Sequence, residues 1–341
     1  MATGLLSFVA ALVMTRIMIW INIHDTPVHR SSHDVVTPRG GGVAIIIGFC
    51  LCMTYFLSKH QLAHIPNWKL IVMGCSLIGL VAISLWDDIR GVSLRYKLIT
   101  QIAVASAIVA SGLSFDRLPL PHLGVLELGA FGGILSLLWV IFFTNAFNFM
   151  DGLDGLAAGG SLVASFFGVV IGVLFQEQAF LYISFALFFS NLGFMVYNFS
   201  PAQIFMGDVG SQFLGLLWSV LLLLSTQAKH VELSVYTVPI LFFAFIYDVL
   251  LTILRRLIKG QSIWHPHRTF LFHILHRSGL SHRRISLIYM GFAIIQGFGA
   301  VSVQFMESTH QLFMVLPYIL MMIFYTVWVG ARARRYIRYR K

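Results

Sequence analysis

The sequence predicts an all-α, polytopic integral membrane protein, on three observations. Of 341 residues, 58% are hydrophobic and only 11% are charged, where soluble domains carry roughly 25% charged residues. Apolar runs recur at lengths near the ~20 residues that cross a bilayer as a helix. The Lys and Arg residues collect in alternate loops, as they do on the cytoplasmic side of membrane proteins.

Eleven apolar runs are candidate spans: 3–23, 40–57, 70–86, 97–113, 134–149, 156–174, 180–198, 212–226, 235–255, 286–306 and 312–331. Several are short, so ten crossings are expected if one is re-entrant. No basic segment precedes the first run and no small-residue cleavage site follows it, so it is expected to stay as a helix rather than leave as a signal peptide. Loops 22–39, 87–97, 150–155, 199–211 and 256–285, with the tail 332–341 and Arg255, hold 18 of the 23 Lys and Arg residues. Lys59, Lys69, Arg117 and Lys229 fall on the other side, and Arg16 lies inside the first run. This bias predicts an external N-terminus and a cytoplasmic C-terminus. The whole of 1–341 reads as one transmembrane domain whose site is built by those loops.

Net +10 is then mainly a topology signal, with attraction to anionic lipid or substrate added. With no soluble basic domain to carry it, the charge does not point to nucleic acid. Cys50, Cys52 and Cys75 lie in apolar runs and read as small core residues, not disulfides or zinc ligands. The acids divide by side. Asp25, Asp34, Asp87, Asp88, Asp151, Asp154, Asp208 and Asp248 fall on or near the cytoplasmic side, whereas Asp116 and all four Glu lie outside.

The first loop ends T-P-R-G-G-G, Thr37 to Gly42. Its glycines free the backbone to approach a ligand, and Arg30, His33 and Arg39 are positioned to meet phosphate. A positive-inside anchor explains the stretch equally well. In the second loop, Asp87 and Asp88 are adjacent and repel, and such a pair persists where a cation or a proton relieves the repulsion. Arg90, Arg95 and Lys97 follow. Carboxylates for a divalent metal together with several cations are what an oligophosphate substrate requires.

The central stretch is N-A-F-N-F-M-D-G-L-D-G, Asn145 to Gly155, between two apolar runs. Ionisable groups near a membrane are costly and point to function. Helical spacing puts Asn145, Asn148 and Asp151 on one face, and Asp154 continues the spacing. Their side chains suit hydrogen bonds to a base or sugar, and the Asp residues suit magnesium. In I-F-M-G-D-V-G-S-Q, Asp208 sits between glycines before a helix, Ser211 is a candidate cap, and the helix N-terminus is a natural anion site. Phe205 is placed to stack on a base. Asp248, inside the ninth run, is expected either to face the polar site or to form a structural pair. The last loop, with H-R-T-F-L-F-H-I-L-H-R, is read as a basic, phosphate-facing element that includes Arg268 and His273. The tail reads as an interfacial anchor.

Four phrases in order, R-S-S-H…T-P-R-G-G-G, D-D-x-R…R-Y-K-L, N-x-x-N-x-x-D-G-L-D-G-L and F-M-G-D-V-G-S, carry a resemblance. From about His24 to His282 the chain resembles the polyprenyl-phosphate N-acetylhexosamine-1-phosphate transferases, and looks most like their O-antigen-initiating branch. The phospho-MurNAc-pentapeptide translocase is a more distant relative. The resemblance implies that Asp87 and Asp88 handle the polyprenyl phosphate, with one as a candidate base. It implies that Asn148, Asp151 and Asp154 hold the nucleotide or help a metal, that Phe205 lies near uracil, and that Asp208 is a magnesium ligand. Arg95 and Lys97 match basic positions after the acid pair. Where the family often has H-x-H-H in the last loop, this chain has Phe270, Phe272 and His273, with His267, His276 and His282 nearby.

The expected catalytic residues are therefore Asp87, Asp88 and Asp208. Asp208 and Asp151 are the expected ligands of Mg2+, or of Mn2+ in its place. The expected partners are a UDP-N-acetylhexosamine, a polyprenyl phosphate lipid and the bacterial inner membrane, with a homodimer left open. The expected reaction is attack of the lipid phosphate on the sugar-linked phosphorus, releasing UMP. It would begin O-antigen or another surface polysaccharide, or, as a nearer alternative, use a peptidoglycan precursor. A lipid-linked sugar flippase and a non-catalytic scaffold are the rival classes. A flippase calls for charges near the midplane and for internal repeats; the acids here cluster at one face.

Overall fold

The computed structural model describes residues 1–25, 37–228, 232–262 and 267–339. Arg30, His33 and Lys229 lie outside the described residues. Each of the eleven apolar runs carries a helix: α1 (Ala2–Ile21), α2 (Gly42–Ser58), α3 (Asn67–Arg90), α4 (Leu94–Ala110), α5 (Ala130–Met150), α6 (Leu156–Leu174), α7 (Gln178–Asn198), α8 (Gly207–Ser225), α9 (Thr237–Leu241), α10 (Phe243–Ile258), α12 (His282–Ser302) and α13 (Leu316–Tyr339). The ninth run is split at Phe242 into α9 and α10; Pro239, which has no amide hydrogen, lies three residues before the break. Among the described residues, eight helices are at least 18 residues long and apolar enough to cross a membrane, and α2 is one residue short at 17. The protein is an all-α, multi-pass membrane protein.

Side-chain exposure fits a bilayer. Ile71, Ile78, Phe131 and Phe324 stand exposed along helix flanks, where only lipid would tolerate such a surface. Trp20, Trp68 and Trp86 are exposed near helix ends, where indoles meet the lipid–water boundary. α8 is the central helix: every residue from Val209 to Ser225 is buried. It packs on α3, α5 and α2. α2 comes closest, because a Cβ on Gly42 would overlap the Gly210 backbone, and the reverse. Small residues let membrane helices approach in this way.

The helices run past the expected loop boundaries. α3 continues through Asp87 and Asp88 to Arg90, and α4 already includes Arg95 and Lys97. α8 starts at Gly207 rather than near 212, so Asp208 is in its first turn. Ser211 is therefore not the cap; its hydroxyl donates to Gly207 O one turn back. α13 carries the tail on as helix to Tyr339. Polar residues at helix ends extend a helix into the interface, and an apolar-run count stops before them.

A short helix, α11 (Leu271–Arg277), and two small hairpins complete the chain. β1 (His24–Asp25) pairs with β2 (Thr37–Pro38). β3 (Arg117–Leu120) pairs antiparallel with β4 (Gly124–Glu127), in the connection between α4 and α5. The Tyr236 hydroxyl donates to Pro119 O at 2.6 Å and pins this hairpin.

Candidate active site

Two acidic elements meet at one end of the bundle. The Asp88 carboxylate accepts the backbone N–H of Asp208 and of Val209, each at 3.1 Å. The amide cluster at the N-terminus of α8, expected to receive a ligand anion, is thus filled by the protein's own carboxylate. Gly207 makes this fit: its φ is +74°, and a Cβ there would press on the Asp88 carboxylate. Asp88 is 2% exposed, so it holds α8 against α3 rather than facing solvent.

Asp87, one residue earlier, points elsewhere. Its carboxylate accepts Val92 N–H at 2.6 Å, which closes the α3–α4 turn, and pairs with the Lys97 ammonium. Lys97 also donates to Asp208 Oδ2 at 2.6 Å. One ammonium therefore joins the acid pair of α3 to the acid of α8. Asn148 Nδ2 donates to Asp208 Oδ1 at 3.1 Å and to Ser211 Oγ at 2.8 Å, and Gln212 Nε2 adds a contact to Asp208 Oδ2 at 3.3 Å.

Asn145 lies one turn deeper on the same face. Its amide exchanges hydrogen bonds with Gln101 at 2.8 and 3.3 Å, and Gln101 also donates to Gln212 at 3.1 Å. α4, α5 and α8 are stitched together beneath the acids by three amides. Neither glutamine was foreseen. Uncharged residues inside apolar runs leave little trace in a sequence.

Asp151 closes α5 as its C-terminal cap residue. Among the described residues its carboxylate has no hydrogen-bond partner. Burial, then the charges of Asp208 and Asp88, push its pKa up to about 8. The negative charge of Asp208 and Asp88 felt by Asp151 favours a cation beside it. Among the described residues, no three His, Cys, Asp or Glu side chains converge to hold a metal by themselves. Asp151 and Asp208 offer carboxylate oxygens of the kind that magnesium takes alongside phosphate oxygens and water.

Asp154 turns away from this cluster, although it shares its helical spacing. Asp154 Oδ1 pairs with His282 Nδ1 at 2.9 Å, and Oδ2 accepts Ala202 N–H at 3.2 Å. Burial opposes its charge, but the His282 hydrogen bond and charge and the Ala202 amide outweigh it and hold the carboxyl below its usual range. Asn198, another unforeseen residue, accepts Gly155 N–H and donates to Ile204 O. The D-G-L-D-G turn is thereby fixed to the chain before α8.

The glycines of the first loop serve packing as well as any ligand. Gly41 N–H donates to Phe205 O, Gly42 N–H to Met206 O, and Phe205 N–H to Pro38 O. Phe205 is thus clasped beside Arg39, whose charge acts on Asp88. Arg95 is exposed in the first turn of α4 and, among the described residues, takes no part in the network.

α11 covers the turn from the other side. A Cβ on Gly152 would lie 2.8 Å from the Phe272 ring and 3.4 Å from His273 Nε2. Burial, then Arg268, Arg277, His267 and His276, bring the His273 pKa down to about 3, so the ring is neutral. Asp248 explains why α11 sits there. Fully buried, it accepts Leu271 N–H at 2.7 Å, Phe272 N–H at 3.4 Å and the Tyr289 hydroxyl at 2.6 Å. It is a capping group, neither facing the acid cluster nor bonded to Arg255, whose guanidinium donates to Thr269 O.

The geometry defines a membrane protein with a compact carboxylate–lysine–amide site at one interface. A model described as glycosyl transferase family 4 matches residues 70–226, a block that contains Asp87, Lys97, Gln101, Asn145, Asn148, Asp151 and Asp208. The chain is 35% identical to a "probable undecaprenyl-phosphate N-acetylglucosaminyl 1-phosphate transferase" of Bacillus subtilis, over 91% of this chain and 85% of that one. It is 33% identical to a decaprenyl-phosphate N-acetylglucosaminephosphotransferase of Mycobacterium tuberculosis, over 81% and 74% of the two chains. It is 29% identical to an undecaprenyl-phosphate alpha-N-acetylglucosaminyl 1-phosphate transferase of Escherichia coli, over 83% and 77%. The chain belongs to the polyprenyl-phosphate N-acetylglucosamine-1-phosphate transferase family, within glycosyl transferase family 4, and is a transferase.

Proposed function

We propose that the protein transfers an N-acetylhexosamine 1-phosphate, N-acetylglucosamine 1-phosphate first among the candidates, from its UDP derivative to a polyprenyl phosphate such as undecaprenyl phosphate. The observation that carries this reading is the Asp87–Lys97–Asp208–Asn148 network at the membrane boundary of a chain from this family. A phosphate oxygen of the lipid forms a bond to the sugar-linked phosphorus. The bond from that phosphorus to the bridging oxygen breaks, and UMP leaves with the electron pair. A lipid diphosphosugar remains in the membrane.

Two anions must meet, and charge grows on the leaving oxygen, so cations must offset it. Lys97 supplies one such charge and can change partners between Asp87, Asp208 and a phosphate. A bound Mg2+ ion would supply the other by polarising phosphoryl oxygens. Asp151 and Asp208 would hold it. Asp88 fixes the backbone that presents Asp208. Asn148 and Gln212 fix the orientation of the Asp208 carboxylate. Arg39, Arg268 and Phe205 are assigned to the nucleotide sugar.

The bias of Lys and Arg towards the loops of this end supports a site on the cytoplasmic side of a bacterial inner membrane, where UDP-sugars are made, and the product would begin O-antigen or another surface glycan. A single chain holds every residue used here. Purified protein is assayed with UDP-N-acetylglucosamine and undecaprenyl phosphate, with Mg2+ or with EDTA. Lipid product and UMP are expected only with the metal. Folded protein that is silent across a panel of UDP-N-acetyl sugars would favour a flippase or scaffold instead.

A further inference from the structure

We propose that the C-terminal end of α13 forms a second lipid site, selective for the headgroup phosphate of an anionic phospholipid. A cavity of about 330 Å3 lies between α13 and the end of α11, lined by Ser278, Trp328, Ala331, Arg332, Arg335 and Tyr336. Two guanidinium groups share it. Arg332 Nε is buried and has no hydrogen-bond partner among the described residues. A buried donor without an acceptor is costly unless a ligand completes it.

The occupant is amphiphilic by the layout of the helix. Trp328, Arg332 and Arg335 follow one another at helical spacing, with Phe324 one turn before. Phe324 is 74% exposed and Trp328 44% exposed, and both face the lipid region. The same stripe therefore offers apolar surface to acyl chains and ends in two cations at headgroup depth. A free phosphate would use the cations alone and leave the aromatic surface uncovered.

The cavity is joined to the active site. Tyr336 packs on Gly279, where a Cβ would come within 3.2 Å of its ring. Gly279 follows the C-cap of α11, Ser278, and α11 lies over Gly152 through Phe272. A lipid bound here braces the element that covers the D-G-L-D-G turn, so turnover depends on anionic lipid. The site uses none of the residues assigned to the transfer reaction.

The test uses full-length protein in nanodiscs of phosphatidylcholine with or without phosphatidylglycerol. Retained lipid is read by native mass spectrometry, which requires no turnover, so failure of this proposal is separable from failure of the transferase reading. Wild type is expected to retain phosphatidylglycerol in preference. Arg332→Ala with Arg335→Ala lowers that preference about thirty-fold, since each interfacial arginine contributes about 1 kcal/mol and 1.4 kcal/mol is about tenfold. Arg335→Ala alone, at an exposed position, lowers it about five-fold and serves if the double variant does not fold. Arg334→Ala, outside the cavity, leaves it unchanged. Phosphatidylglycerol is expected to raise turnover in wild type and in Arg334→Ala but not in the double variant. Equal retention by the double variant, equal loss in Arg334→Ala, or displacement of the lipid by inorganic phosphate or undecaprenyl phosphate would overturn the proposal.

Discussion

Lys97 is the residue through which the two acidic elements of the site communicate. It bonds Asp87 and Asp208 at once, from two helices that are distant in sequence. Asp208→Asn removes the charge that balances this ammonium while keeping the shape. Turnover is expected to fall by about 100-fold or more, with the folded yield unchanged by size-exclusion chromatography. His273 supplies a pH prediction. Its folded pKa, about 3, lies below the ordinary 6.5, so below pH 6.5 the unfolded chain binds the extra proton first. The stability that the neutral ring confers is complete above pH 6.5 and is lost as pH falls towards 3. The melting temperature of wild type should drop between pH 7 and pH 5 more than that of His273→Phe, as read by differential scanning fluorimetry. At this scale the acids were legible because a charge beside a membrane is conspicuous. Gln101, Gln212 and Asn198 were not. They are neutral, and Gln101 meets its partners 44 and 111 residues away.

Helix ends decide how these residues are aimed. Asp88 fills the N-terminus of α8, and Asp248 does the same for α11. A buried carboxylate that accepts backbone N–H groups stabilises a helix start both by hydrogen bonding and through the helix dipole. Asp248→Asn presents an amide donor to a cluster of donors and should cost about 1–3 kcal/mol. Faster hydrogen exchange across α11 checks this. Gly42 makes a second test. Gly42→Ala pushes a methyl group into the Gly210 backbone, so α2 and α8 must separate, at a cost of about 1–3 kcal/mol or more. Gly74→Ala has nothing within 4 Å and is the matched control; the two melting temperatures should diverge. The apolar runs located these helices but stopped short of their ends. Hydropathy ceases to report where a helix leaves the lipid, and the acids lie in that stretch. The pairing of Gly42 with Gly210 was equally hidden, because a glycine in a sequence does not say what approaches it.

The molecule as a whole is a bundle around α8, with Asp87, Asp88, Asp151 and Asp208 gathered at one end and a small hairpin at the other. Charge bias predicts that the acid end faces the cytoplasm. Single cysteines introduced at 123 in the hairpin and at 334 near the tail, in a cysteine-free background, should label from outside and from inside, respectively, with an impermeant reagent. Eleven runs, one loaded interface and the order of four motifs made the architecture and the family readable. The meeting of α3, α4, α5 and α8 was not readable, because it depends on packing among residues far apart in the chain. In the proposed reaction, phosphorus moves to the lipid together with the sugar. The most direct measurement uses UDP-N-acetylglucosamine labelled at the β-phosphate, with undecaprenyl phosphate and Mg2+. Phosphorus transfer predicts label in the lipid product and unlabelled UMP in solution. Labelled UDP in solution with an unlabelled glycolipid would mean that the sugar moves alone, and would contradict it.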